Sequence, residues 1–145
     1  MSDLDLPHPQ LGLRHRETMT VEARHTVPAI ESQWPGFVDM PPVFATAMMI
    51  GFVEQTCVQS LRPHLAAYQR TVGTHVDVSH VAATPVGMSV TATVELVAVE
   101  GRNLVFRVRC DDDAGLIGEG SHRRAIIDAD RFMARLAAKA GTGAA

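Results

Sequence analysis

Val43-Phe-Ala-Thr-Ala-Met-Met-Ile-Gly-Phe-Val-Glu-Gln-Thr-Cys-Val58 is a run of helix formers and small apolar residues that carries one charge, Glu54. Glu54 is also the only charged residue between Asp39 and Arg62. Pro41-Pro42 suits the first helical turn, where a missing N–H costs little, and Pro63 ends the pattern. The spacing therefore predicts a helix over about Val43–Leu61. Gly51 inside it costs about 1 kcal/mol against alanine and implies close approach of another element. The helix is apolar almost all round, so a sheet should bury it. A carboxylate in such an element is costly unless it is paired or hydrogen-bonded.

The flanks are strand-like. Over Arg14–Val27, Met19, Val21 and Ala23 alternate with Thr20, Glu22 and Arg24, the period of a strand. Pro28–Pro42 holds four prolines together with Trp34, Phe37 and Met40. It is either a loop packed over a core edge or a lid over a pocket, since connectors of this length are uncommon without a task. Beyond the helix, Thr71–Ala82 alternates with Val72, Thr74, Val76, Val78 and His80 on one face. Strands are also expected over Met88–Val99, Leu104–Cys110 and Leu116–Asp128, with Gly118 and Gly120 marking a bulge or bend in the last. Asp130–Ala140 reads as a short helix. One domain over 14–140 is bracketed by a loose arm, 1–13, and a fraying tail, 141–145.

Strand, lid segment, long helix and a meander of four strands make an α+β chain. About five antiparallel strands would wrap one buried helix, a hotdog-like arrangement. One sheet and one helix leave much surface uncovered, so a homodimer is expected, joined by sheet edges or by helices.

Composition narrows the classes. A net charge of −3 without a Lys/Arg cluster argues against a nucleic-acid partner. Cys57 and Cys110 sit in apolar patterns with no metal or disulfide spacing, which suits core packing in a reducing cytoplasm. The acidic start Met1-Ser-Asp-Leu-Asp-Leu-Pro lacks the apolar region of a signal peptide. The apolar run Val43–Val53 is too short to span a bilayer. The expectation is a soluble, cytoplasmic protein with no membrane partner.

Three residues are candidates for chemistry. Burial of Glu54 would raise its pKa and suit it to act as base or nucleophile; the alternative is a carboxylate held by a structural arginine. Thr46, in the first turn or just before it, sits where orphan N–H groups and the helix dipole stabilise an oxyanion; the alternative is a cap. Eight residues of ideal helix separate Thr46 and Glu54 by ~12 Å in rise and ~80° in rotation, so the two cannot bond along one regular helix. Either Thr46 belongs to a loop that folds back, or a partner chain supplies one of the pair. A lone histidine such as His80 on an apolar strand is more often a satisfied core residue, yet beside a carboxylate it completes an acid–base set. Gly73-Thr74 marks close ligand approach or a plain bend, and Arg123-Arg124 a phosphate contact or surface charge. His8, His15, His25, His64, His75 and His122 show no metal-ligand spacing, so no metal is expected. The sequence has no Gly-rich phosphate loop and no G-x-S-x-G elbow.

The blocks Pro42-Val-Phe-Ala-Thr46 through Gly51-Phe-Val-Glu54-Gln-Thr-Cys-Val58, and Gly73-Thr74 through His80-Val-Ala-Ala-Thr-Pro-Val-Gly87, resemble the fluoroacetyl-CoA thioesterase family. Val94-Glu-Leu-Val-Ala-Val-Glu-Gly-Arg102 and Ile117-Gly-Glu-Gly-Ser-His122-Arg-Arg124-Ala fit as well, and the resemblance covers roughly Pro28–Arg135. It implies a hotdog dimer that hydrolyses short acyl-CoA thioesters, with CoA as part of the substrate and no other cofactor. It places the family's catalytic threonine, glutamate and histidine on Thr46, Glu54 and His80. The substrate-facing glycine falls on Gly73, an arginine near the acyl end on Arg124, and the lid pair on Phe37 and Met40. The family's fluoroacetyl-selective member has phenylalanine at both lid positions. Met40 departs from that pattern, and a flexible methionine is less shape-specific. The competing reading is a non-catalytic hotdog module that binds acyl-CoA. A hotdog hydratase would be expected to pair a histidine with Asp or Asn in a helix-entry loop, a pattern this sequence lacks.

Overall fold

Period-two burial is strictest in β3 (Ser89–Glu100) and β4 (Asn103–Asp112). Val90, Ala92, Val94 and Leu96 of the first and Leu104, Phe106, Val108 and Cys110 of the second are buried, and the residues between them are not. Gly101, at φ +62°, supplies the left-handed residue of the turn between them. β5 (Gly115–Asp128) extends this meander, and β1 (Arg14–Thr20) and β2 (Gln69–Val78) complete the sheet. The computed structural model, which describes residues 7–143, orders the strands β1-β3-β4-β5-β2, each pair antiparallel.

The meander thus has three strands, not four. β2 does not pair with β3; it adds to the far side of β5. Gly118 and Gly120 permit this, because a Cβ on either would collide with the Ser79 or Asp77 carbonyl at the end of β2. The glycines serve this close approach, and the expected bulge is present as well, since the β4–β5 register skips Ile117 beside Gly118. β1 also stops short of the expected Val27. Residues Ala23–His25 form a 3-10 turn, closed by the Glu22 N–H donating to His25 Nδ1 (2.9 Å) and by Thr26 Oγ1 donating to the Ala23 carbonyl (2.7 Å). These local bonds compete with a strand ladder.

The proline-rich connector holds two single turns, α1 (Val27–Ile30) and α2 (Pro35–Val38), each with proline in its first turn. Trp34 and Phe37 meet edge to face at 5.1 Å, and Trp34 and Met40 are about half exposed. The long helix α3 (Thr46–Leu61) begins three residues later than the prolines suggest. Val43 and Phe44 are taken by single bridges to Pro85 and Thr26.

α3 lays Met49, Val53, Thr56, Cys57, Ser60 and Leu61 against the sheet, and Thr46, Ala47, Gly51 and Gln55 stay exposed. The all-round burial expected of this helix is therefore absent in a single chain: one face is covered and a face of small residues is open. Cys57 and Cys110 are free and buried in the core, as their apolar settings imply. Burial pushes their thiols up to about 12 and about 11, which leaves them inert as nucleophiles.

Of the arm over 1–13, residues 1–6 lie outside the described residues. Pro9 is buried, and Gly12 and Leu13 exchange backbone hydrogen bonds with Leu96. α4 (Ala129–Gly143) continues past the expected stop at Ala140, so Gly141 lies within it; of the tail, 144–145 lie outside the described residues. No described helix is long and apolar enough to cross a membrane.

Candidate active site

Thr46 is the first residue of α3, and its hydroxyl does not cap its own helix. Thr46 Oγ1 instead lies 2.7 Å from His80 Nδ1. His80 sits two residues past the end of β2, not on a strand face. The period across β2 is broken by a bulge, since the register with β5 jumps between Gly73 and His75. Ser79 and Val81 donate to the Glu119 and Ile117 carbonyls, so the chain on either side of His80 is pinned against β5. His80 Nε2 is buried without a hydrogen-bond partner among the described residues. Burial lowers the pKa of His80, so the ring is neutral near pH 7.

Glu54 lies on the flank of α3 with 40% of its side chain exposed, so the buried carboxylate expected from the sequence is half open instead. The reason is that α3 covers the sheet with one face only. Arg124, on β5, is 5% exposed and donates from Nη1 to Glu54 Oε2 at 2.8 Å. The same guanidinium donates to Thr71 Oγ1 and to the Thr71 carbonyl (both 2.9 Å) and reaches His122 Nε2 at 3.0 Å. The arginine-held carboxylate is thus the state of Glu54 within one chain. Arg124 is not a surface charge, whereas its neighbour Arg123 is exposed. Gly73 lies over this group: a Cβ there would stand 2.6 Å from Glu54 Oε2, 3.2 Å from His122 Cε1 and 3.3 Å from Arg124 Nη1.

The candidates therefore form two groups. Thr46 pairs with His80, and Glu54 pairs with Arg124 beneath Gly73; no hydrogen bond joins the groups among the described residues. Phe37 is half-buried against Trp34 and Met40 is exposed, both in the connector. A cavity of about 290 Å³ opens beyond Glu54, lined by Val58, Arg62, Leu65, Gln69, Arg70 and Thr71 among others. Val58 is one helical turn on from Glu54, and Thr71 is the residue that anchors Arg124. Thr71 and His122 are not among the residues that the sequence marks for chemistry. Their signal was positional: His122 and Arg124 lie two apart on β5 and so share a face. Among the described residues no three His, Cys, Asp or Glu side chains gather as metal ligands.

Known proteins match this chain closely. The profile of the fluoroacetyl-CoA-specific thioesterase family matches residues 21–130. The fluoroacetyl-CoA thioesterase of Streptantibioticus cattleyicolor is 39% identical over 92% of this chain and 96% of its own length. A solved structure of the fluoroacetyl-CoA thioesterase FlK is 39% identical, covers 90% of this chain and 97% of that one, and superposes with a TM-score of 0.88. A variant of that protein, in complex with fluoroacetate and CoA, is 40% identical over 86% of this chain and 99% of that one, with a TM-score of 0.83. A thioesterase superfamily member from Thermus thermophilus shares the fold at 23% identity, covering 94% and 96% of the two chains, with a TM-score of 0.82.

Proposed function

The chain belongs to the fluoroacetyl-CoA-specific thioesterase family, and from that premise we propose that it hydrolyses a short-chain acyl-CoA thioester to the free acid and coenzyme A. The observation that carries this reading is the pairing of a half-open, arginine-held carboxylate, Glu54, with a Thr46–His80 hydrogen bond at a helix N-terminus. Arg124 occupies Oε2 and leaves Oε1 of Glu54 without a hydrogen bond among the described residues. That oxygen attacks the thioester carbonyl or takes the proton from an attacking water. Thr46 and the first N–H groups of α3 hold the carbonyl oxygen as negative charge builds on it. The C–S bond breaks and coenzyme A leaves as the thiolate; the proton it needs comes from the water, passed on by Glu54 when that water attacks directly, or by His80 Nε2 when the water cleaves the acyl–Glu54 anhydride left by carboxylate attack. Water supplies the oxygen of the product acid. Phe37 and Met40 close over the acyl group.

The working form is a homodimer, which joins the two groups. Gly73, Thr74, His75, Val76 and Asp77 of β2 are all exposed, and this strand is a free sheet edge. Long free edges are ready templates for pairing with another chain. If two β2 strands pair antiparallel about a twofold axis, the Val78 end of one copy meets the Gln69 end of the other. His80 and Thr46 of one protomer then approach the Glu54 and the cavity of its partner. The open small-residue face of α3, with Ala47 and Gly51, gains cover in the same assembly. The buried free cysteines suit a reducing compartment such as the cytoplasm.

Free-thiol release from acetyl-, fluoroacetyl-, propionyl- and aryl-acyl-CoA tests the reaction, with Glu54→Gln as the control. A Glu54→Gln protein with wild-type turnover overturns this role for the carboxylate. Tight binding of acyl-CoA with no thiol released favours a non-catalytic binding module instead.

A further inference from the structure

His122 is the most enclosed histidine of the chain, with 0% of its surface exposed. Both ring nitrogens are engaged. Nδ1 lies 2.8 Å from the His75 carbonyl oxygen, which only accepts, so Nδ1 carries the hydrogen. Nε2 lies 3.0 Å from Arg124 Nη1, which only donates, so Nε2 is bare. The two partners demand the same state: a neutral ring in the Nδ1–H tautomer. Burial and the adjacent guanidinium both disfavour a second proton. Arg124 Nη1 has two hydrogens, and the other meets Glu54 Oε2 at 2.8 Å. With Nε and Nη2 anchored on Thr71, the His122 acceptor completes the set of bonds that aims Nη1.

We propose that His122 is a positioning residue for the thioesterase site: as the neutral Nδ1–H tautomer it accepts from Arg124 Nη1 and so orients the guanidinium that holds the Glu54 carboxylate. This rests on the reading of Glu54 as the reacting group. His122 itself need not touch substrate. Its bond to the His75 carbonyl also ties the site to the bulged stretch of β2, so the aim of Arg124 depends on the edge strand.

Two measurements on the full chain test the assignment. In protein labelled with 15N-histidine, the two ring nitrogens of His122 should report a protonated Nδ1 and a bare Nε2 at pH 7. A bare Nδ1 or an imidazolium overturns the proposal, whether or not the protein hydrolyses anything. In the second, His122→Phe keeps the ring volume and removes the acceptor, while His122→Gln restores an acceptor without the ring. His122→Phe should lower kcat by about 10- to 100-fold with KM held, and His122→Gln should recover most of it. Equal losses in the two variants would mark a packing role and overturn the proposal, as would an unchanged kcat in His122→Phe. Absence of thiol release by the wild-type protein would overturn the functional reading, while the 15N signature would still decide the tautomer.

Discussion

Gly73 lies directly over the Glu54 carboxylate, so close that a single methyl group would stand 2.6 Å from Oε2. A methyl group there forces the Glu54 carboxylate to shift from its place against Arg124. Gly73→Ala is therefore expected to lower turnover by about 10- to 100-fold, because Glu54 loses its fixed orientation. The stability cost should stay near about 1–3 kcal/mol, the usual range for overpacking. Thiol release and a thermal melt on the same sample check this; wild-type turnover would show that Glu54 needs no such aim.

Thr46 and His80 separate a chemical role from a packing role. Thr46 is exposed, and its hydroxyl is bonded to His80. Thr46→Val keeps the shape and should cost about 10²-fold in kcat, the scale of one oxyanion donor, while Thr46→Ser should stay much closer to wild type. Stability should change by only about 0.5–1.5 kcal/mol, one hydrogen bond. Steady-state kinetics with acetyl-CoA decide; equal rates for the Val and Ser variants would remove the hydroxyl from the mechanism.

In the proposed homodimer the free β2 edge is the seam. Sedimentation equilibrium should give twice the chain mass for the wild-type protein. Val76, on β2 and 43% exposed in the single chain, is a suitable probe. Val76→Lys places a charge at the seam and should yield a folded monomer with little thioesterase activity. A wild-type monomer that turns over normally would refute the shared site.

A lid role for Phe37 and Met40 makes a prediction about acyl preference. Phe37 packs on Trp34, whereas Met40 is exposed and flexible. Met40→Phe is expected to raise the kcat/KM ratio of fluoroacetyl-CoA over acetyl-CoA, and Phe37→Ala to lower it. Unchanged ratios in both variants would place selectivity elsewhere.

His122 also makes stability depend on pH. Its folded pKa lies below the ordinary 6.5, chiefly through burial, so the unfolded chain binds the extra proton first. The stabilisation of the neutral ring is complete above about pH 6.5 and is lost as pH falls through the lowered folded value. The Tm of the wild-type protein should therefore drop below pH 6.5 more steeply than that of His122→Phe. Parallel Tm–pH curves for the two would show that this ring is not the group responsible.

Glu54 shows how far the sequence could be read. Its isolation among apolar residues marked it correctly as an unusual charge, and the eight-residue spacing correctly separated it from Thr46. The inference that it is buried failed, because a helix that is apolar all round need not be covered all round by its own chain. Arg124 could be read as phosphate contact or as surface charge; its partner is seventy residues away, beyond the reach of any local pattern. The alternation places His80 at the end of a strand face, but β2 stops at Val78 and leaves it in the following loop.

The sequence by itself determined the elements that repeat with a period: the alternating core of β3 and β4, the long helix, the buried cysteines and the α+β class. It also singled out Thr46, Glu54, His80 and Gly73. The tertiary structure alone decided that β2 joins β5 at an open edge, that Glu54 is half exposed and bound by Arg124, and that His122 backs that arginine. Periodicity reports which face of an element is apolar, because burial acts on every second or every third to fourth residue. It does not report which distant strands pair or which charges meet, because those contacts are set by the packing of whole elements against one another.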